Sequence, residues 1–192
     1  GAHASTTIIA QFFKDNKCFG NLLAREIESI DKVLNTSEKP VLAILGGAKV
    51  SSKITVIENI LDKVDHLIIG GGMSFTFIKA QGGNVGDSIC EDDKMDLALA
   101  ILKQAKAKNV QIHIPVDVVV ADDFSNTANT QICDISLIPE GWQGLDAGPK
   151  SREIFDTVVN KCKTILWNGP LGVFEMESFS GGTIALGHAI DK

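Results

Sequence analysis

Two rhythms of apolar residues alternate along this chain. From Asn21 to Leu34, the side chains of Leu23, Ile27, Ile30 and Leu34 fall at the helical period opposite a charged face. The polar run Asn35 to Lys39 and then Pro40 end that helix. Val41 to Leu45 is short, wholly apolar and closed by Gly46-Gly47, which predicts a buried strand of a parallel sheet. A helix follows, with Ile54, Val56, Ile57, Ile60 and Leu61 as its core face. The pattern then repeats. Val64 to Ile69 is a strand closed by Gly70-Gly71-Gly72, and Met73 to Ala80 is a short helix. Glu91 to Lys108 is a longer helix with Met95, Ala98, Leu99 and Leu102 on one side. Val110 to Ile114 and Val116 to Val120 are strands separated by Pro115, and Gln131 to Ile135 is a weaker one. Ser151 to Cys162 is helical, Thr164 to Trp167 is a strand, and Gly182 to Ile190 is a last helix. Such alternation predicts an α/β three-layer sandwich, a mostly parallel sheet with helices on both faces. Ligands of such folds sit at the carboxyl ends of the strands, and here those ends carry the glycines.

Composition narrows the partners. The 192 residues are 44% hydrophobic and 22% charged, an ordinary globular balance that excludes disorder. The net charge of −6 disfavours non-specific binding to nucleic acid or to an anionic membrane. It leaves room for an anionic ligand, because local backbone amides hold phosphate on acidic proteins too. No apolar run has the length of a membrane span, and the first residues do not read as a signal peptide. Cys18, Cys90, Cys133 and Cys162 are scattered and form no CxxC pair, as expected of free thiols in a reducing cytoplasm. The four histidines are equally dispersed, so no metal site is expected.

Three glycine-bearing strand ends hold the candidate chemistry. In Gly46-Gly47-Ala48-Lys49-Val50-Ser51-Ser52-Lys53, glycines allow close backbone approach, and the amides of the next helix attract phosphate oxygens. Lys49 and Lys53 are four apart and on a helix would share one face. Such a pair either brackets an anion, for which a di- or triphosphate is suitable, or is two solvated surface lysines. Gly70-Gly71-Gly72 is either a flat surface for a planar ring or a tight turn. Trp167 to Glu175 offers a stiff backbone, the amide of Asn168 and one carboxylate, Glu175, of the kind that takes a ribose hydroxyl or simply faces water. GxxxxGK[ST], GxGxxG after a strand, GxSxG and HExxH are all absent. Asp117 and Asp122 flank a strand and are read as strand-end caps or ion-pair partners.

In order and spacing these segments resemble the C-terminal half of phosphoglycerate kinase. The resemblance runs from Ala2-His3-Ala4-Ser5 through Ala43 to Val50, Leu67 to Met73 with Phe75-Thr76-Phe77, and Pro115-Val116-Asp117. It continues through Gly141-Trp142, Gly144-Leu145-Asp146, Gly148-Pro149 and Trp167 to Glu175. The family transfers a phosphoryl group between 1,3-bisphosphoglycerate and magnesium-bound ADP. It has two hinged domains, is usually monomeric, and keeps its nucleotide on the C-terminal domain. The resemblance implies that residues 1–34 are the hinge segment and interdomain helix, and 35–192 the nucleotide-binding domain. It also implies that Lys49 faces the transferred phosphate and Lys53 the α-phosphate side. By the same resemblance Gly46, Gly47, Ala48, Gly70, Gly71, Ile89, Gly144 and Leu145, joined by Phe124, wall an adenine slot. Asn168 would contact phosphate, Pro170, Gly172 and Val173 would line the ribose, and Glu175 would accept from its hydroxyls.

The chain departs from the family pattern in several places. The phosphoglycerate-binding N-terminal domain is not in it, Gly1 replaces a usual arginine, and Ser52 stands where an acid is common. The Gly-Gly-Gly-Asp segment that cradles the outer phosphates and supplies the magnesium aspartate is also absent from these residues. The expectation is an ADP- and ATP-binding piece of a kinase, inactive alone. The alternatives are a stand-alone nucleotide or interaction module, and a dehydrogenase-like domain that prefers NAD.

Overall fold

The computed structural model describes residues 8–15, 17–18 and 20–192, except for the Leu34 side chain. The Ala2-His3-Ala4-Ser5 motif and Gly1 lie outside the described residues. Two compact units are present, Gly1–Thr36 and Ser37–Lys192. In the first, a 3-10 turn at Ile9–Phe12 precedes α1 (Asn21–Asn35). Thr36 closes α1 by donating its N–H and its hydroxyl to the Lys32 carbonyl, both at 3.0 Å.

The second unit runs β1 (Val41–Leu45), α2 (Ile54–Ile60), β2 (His66–Ile69), α3 (Met73–Ala80), β3 (Asn84–Val85), α4 (Met95–Ala107) and β4 (Gln111–His113). It continues with β5 (Asp117–Ala121), β6 (Thr130–Asp134), β7 (Leu137–Ile138), β8 (Gln143–Ala147), α5 (Pro149–Val159), β9 (Thr164–Asn168) and α6 (Gly181–Ile190). Four strands form a parallel sheet in the order β4-β2-β1-β9. All five residues of β1 are buried, as its unbroken apolar run requires of a strand covered on both faces. Leu42, Ile44 and Ile68 meet Phe155 and Val158 of α5 and Leu186 of α6. The alternate residues Ala43, Leu45, Leu67 and Ile69 are buried equally on the opposite face.

The parallel sheet expected from the alternation is present, and β5 and β6 lie outside it. They belong to a separate antiparallel sheet, β6-β5-β8, with a bulge at Val119/Val120. Parallel neighbours need a long crossover, and only the eight residues 122–129 join β5 to β6. The strand β8 is not evident in the sequence, since Gln-Gly-Leu-Asp-Ala contains no β-branched residue. In α4 the buried positions are Ala98, Ile101 and Ala105, whereas Leu99 is exposed. In α2, Ile57 and Ile60 are buried and Val56 faces outward. Both misassigned positions lie one residue from the true stripe, where apolar composition competes with period.

Buried polar groups then tie the layers together. The N-cap of α5 is Gly148, which has no side chain to cap with. Asp117 of β5 supplies the carboxylate instead, accepting from the Ser151 N–H (2.8 Å) and hydroxyl (2.6 Å) and from the Lys150 N–H (3.1 Å). Gly148 leaves the space for it, because a Cβ there would lie 2.3 Å from the Asp117 Cγ. Asp122 accepts from Asn129 across its loop. The strand-end role expected of both acids therefore holds.

His66 of β2 and His113 of β4 stack with ring centroids 5.4 Å apart, Nδ1 of the first 3.2 Å from Nε2 of the second. Burial pushes the His113 pKa down, with the His66 ring and Lys161 adding to the effect. Below the unfolded value of 6.5 the unfolded chain takes up a proton that the folded chain resists. Stability contributed by this site is thus complete above that value and is lost as pH falls toward the folded pKa. Urea midpoints taken from pH 7.5 down to about 5 should decline, and His113→Asn should flatten that decline.

Candidate functional site at the strand ends

The carboxyl ends of β1, β2 and β9 converge through glycine backbone. The Gly46 N–H donates to the Asn168 carbonyl at 3.0 Å, and the Met73 N–H to the Gly47 carbonyl at 2.9 Å. A Cβ on Gly46 would sit 1.9 Å from the Pro170 carbonyl oxygen. Gly71 has φ +68° and lies against the Gly47 backbone, where a Cβ would come within 2.7 Å. At Gly70 a Cβ would meet the Leu171 side chain at 2.3 Å. Gly46 and Gly70 are therefore glycine because other loops pack on them.

Beside this junction opens a cavity of about 440 Å³, within the range of small-ligand sites. Of the residues expected from the sequence, Gly47, Ala48, Gly71, Ile89, Gly144, Leu145, Pro170, Gly172, Val173 and Glu175 line it, together with Phe124. Gly46, Gly70, Lys49, Lys53 and Asn168 do not. Sequence reasoning missed Gly72, Ser74, Phe75, Pro115, Val118, Gln143, Asp146, Ala147 and Leu171. Most of these are neighbours of expected residues. Beyond Gly144 and Leu145, the contribution of β5 and β8 could not be read without knowing that the antiparallel sheet borders the cleft.

The two lysines do not share a helix face. The α2 helix starts at Ile54, and Ser51 to Lys53 form a turn closed by the Lys53 N–H on the Val50 carbonyl at 2.8 Å. The Lys53 ammonium hydrogen-bonds Oδ1 of Asn168, and its stem passes the cavity residue Gly47. Two candidate phosphate contacts from segments 115 residues apart thus meet. Lys49 is exposed and directly follows Ala48 of the wall.

Asp146 is part of the far wall, and its side chain is fully buried. Its Oδ2 accepts from Arg152 at 2.9 Å and from the Gly182 N–H at the start of α6 at 2.7 Å. Burial pushes its carboxyl up against the opposing pull of Gly182 and Arg152. Its Oδ1 is wedged between Gly172 and Gly182, where a Cβ would come within 2.2 and 2.4 Å respectively. The carboxylate is a brace joining β8, the 172 loop and α6.

Parallel strands, helices on both faces and a glycine-walled cleft at the strands' carboxyl ends define an α/β protein built to hold a ligand at that end. The phosphoglycerate kinase family model matches residues 1–192, and the chain belongs to that family. It is 53% identical over 190 residues to the phosphoglycerate kinase of Porphyromonas gingivalis, covering 98% of this chain and 46% of that protein. The solved phosphoglycerate kinase of Coxiella burnetii superposes with a TM-score of 0.85 at 44% identity, covering 89% of this chain and 44% of that one. That of Pyrococcus horikoshii superposes with a TM-score of 0.75 at 28% identity over the same shares. The chain thus spans less than half the length of these relatives.

The glycine junction makes a direct prediction. Gly46→Ala should destabilise the fold by about 1–3 kcal/mol, the usual cost of overpacking. Gly187→Ala is the control, since no atom lies within 4 Å of the added carbon in α6. It should be neutral or stabilise by up to about 1 kcal/mol. Urea unfolding of the two variants checks both.

Proposed function

We propose that this chain is the ADP- and ATP-binding part of a cytoplasmic, glycolytic phosphoglycerate kinase. One observation carries the reading: a largely apolar slot at the strand ends is walled by Gly47, Ala48, Gly71, Gly144 and Leu145, and its wall runs directly into a lysine-bearing loop. A slot of this shape and chemistry suits a planar base, and the lysine loop suits the phosphates attached to it. Pro170, Gly172 and Val173 then border the ribose, and Glu175 accepts from its hydroxyls.

In the reaction, a phosphoryl group leaves the acyl oxygen of 1,3-bisphosphoglycerate and joins a terminal phosphate oxygen of ADP. The products are 3-phosphoglycerate and ATP. Catalysis of this kind is mainly positioning and charge neutralisation. Lys49 would neutralise the moving group. Lys53, already oriented by Asn168, would hold the inner phosphates. Among the described residues no three His, Cys, Asp or Glu side chains gather to ligate a metal ion. Magnesium would arrive with the nucleotide as part of the substrate, because this ion is usually held by one or two carboxylates together with substrate phosphates rather than by an all-protein cage. The second partner would be the phosphoglycerate-binding half of the protein. Also among the described residues, no helix is long and apolar enough to cross a membrane.

A calorimetric titration tests the reading. The chain should bind ADP in preference to NAD and should give no turnover with ATP and 3-phosphoglycerate. Equal binding of NAD would favour a dehydrogenase-like domain, and turnover would overturn the division of labour. In the full-length protein, Lys49→Ala should lower kcat by roughly 100-fold or more with KM for ADP little changed, as expected of a group that acts in the transition state. Steady-state kinetics would read both parameters.

A further inference from the structure

The loop that carries Lys49 and Lys53 is held from outside. Its Ser51 donates a backbone N–H (2.9 Å) and a hydroxyl (2.5 Å) to the two carboxylate oxygens of Glu91, forty residues away. Glu91 itself is fixed by its own N–H, which donates to the Thr76 hydroxyl of α3 at 3.1 Å. Two residues earlier, Ile89 lines the cavity and packs over Gly72. One residue before that, the buried Ser88 hydroxyl accepts from the Gly144 N–H on the opposite wall at 2.8 Å. Four consecutive residues therefore touch β8, the slot and the lysine loop in turn.

We propose that Glu91 is a positioning residue for phosphate binding: it clamps the turn at Val50 and Ser51 so that Lys49 and Lys53 are presented at the end of the base slot. The proposal rests on the nucleotide reading above. Electrostatics alone argues for the opposite effect. A carboxylate beside a loop that receives phosphates repels them, so its removal should strengthen anion binding. What offsets this is that its oxygens are already engaged by a backbone N–H and a hydroxyl of that loop, which spreads the charge into the turn. Burial pushes the carboxyl pKa up, but the Ser51 hydroxyl and the N–H groups of Ser51 and Val50 outweigh it and hold the pKa below the ordinary value. The group is thus ionised whenever a nucleotide would bind. The clamp lies at exposed positions, so its loss takes little from the core. The effect falls on the order of the lysine loop.

The experiment compares adenosine with ADP on the 192-residue chain, with the wild type, Glu91→Ala, Glu91→Gln and Ser51→Ala in parallel. Adenosine reads the slot alone, and ADP reads the slot plus the lysine loop. Glu91→Ala should weaken ADP about tenfold, the scale of losing a hydrogen bond to a charged group, and leave adenosine within about twofold. Glu91→Gln keeps one acceptor oxygen and should recover part of the loss even though the charge is gone. Ser51→Ala should show a smaller ADP-selective loss, and it decides the matter if Glu91→Ala does not fold. Equal weakening of adenosine and ADP, or ADP binding that is unchanged or tighter in Glu91→Ala, would overturn the role of Glu91 while leaving the nucleotide reading intact. A wild type that binds neither ligand would overturn both.

Discussion

Everything at the cleft depends on backbone packing against backbone. The loops after β1, β2 and β9 approach so closely that at Gly46, Gly71 and Gly169 their contact surfaces are peptide groups. This spacing follows from the sheet, where neighbouring parallel strands lie close enough to hydrogen-bond and their ends arrive together. Only glycine permits it at Gly46, Gly71 and Gly169, the last two also at positive φ. A rigid floor results, and its rigidity lets a lysine seven residues along the chain from Gly46 find an asparagine on another strand.

Much of the fold was legible in the sequence because the parallel sheet writes itself in unbroken apolar runs. Val41 to Leu45 and Leu67 to Ile69 admit few other readings. The antiparallel sheet was not legible in the same way. Its strand β8 is made of Gln143, Gly144, Leu145, Asp146 and Ala147, chosen for the wall it forms and the brace it carries rather than for strand propensity. Some residues that β8 and β5 bring to the cleft, such as Val118 and Gln143, were accordingly invisible, while Gly144 and Leu145 were expected only through the family resemblance. The site was legible where glycine or a charged side chain interrupts a pattern, as at Gly47, Gly71 and Glu175. It was misleading at Lys49 and Lys53. Their spacing of four suits a helix, but the chain makes a turn there, and the partner of Lys53 is remote.

Two buried carboxylates repeat one solution to the same problem. Helices α5 and α6 both begin after residues that offer no side-chain cap of their own. Asp117 and Asp146, on the adjacent strands β5 and β8, reach out to those helix starts and take their N–H groups. Each carboxylate thus joins the antiparallel sheet to a helix of the parallel layer. The glycines around them, Gly148, Gly172 and Gly182, are the space these acids require. A buried carboxylate in this domain is therefore architecture, as its hydrogen-bond partners show.

The bulge and the separate sheets carry a last consequence. The cleft's two walls belong to sheets with no strand pairing between them, bridged near the slot by the Ser88–Gly144 bond and by the Val173 N–H on the Leu145 carbonyl at 2.9 Å. A guest lodged there would act as interior packing that the polypeptide does not itself provide. Occupying the cleft would couple two parts of the domain that otherwise can loosen separately, so that they melt as one body.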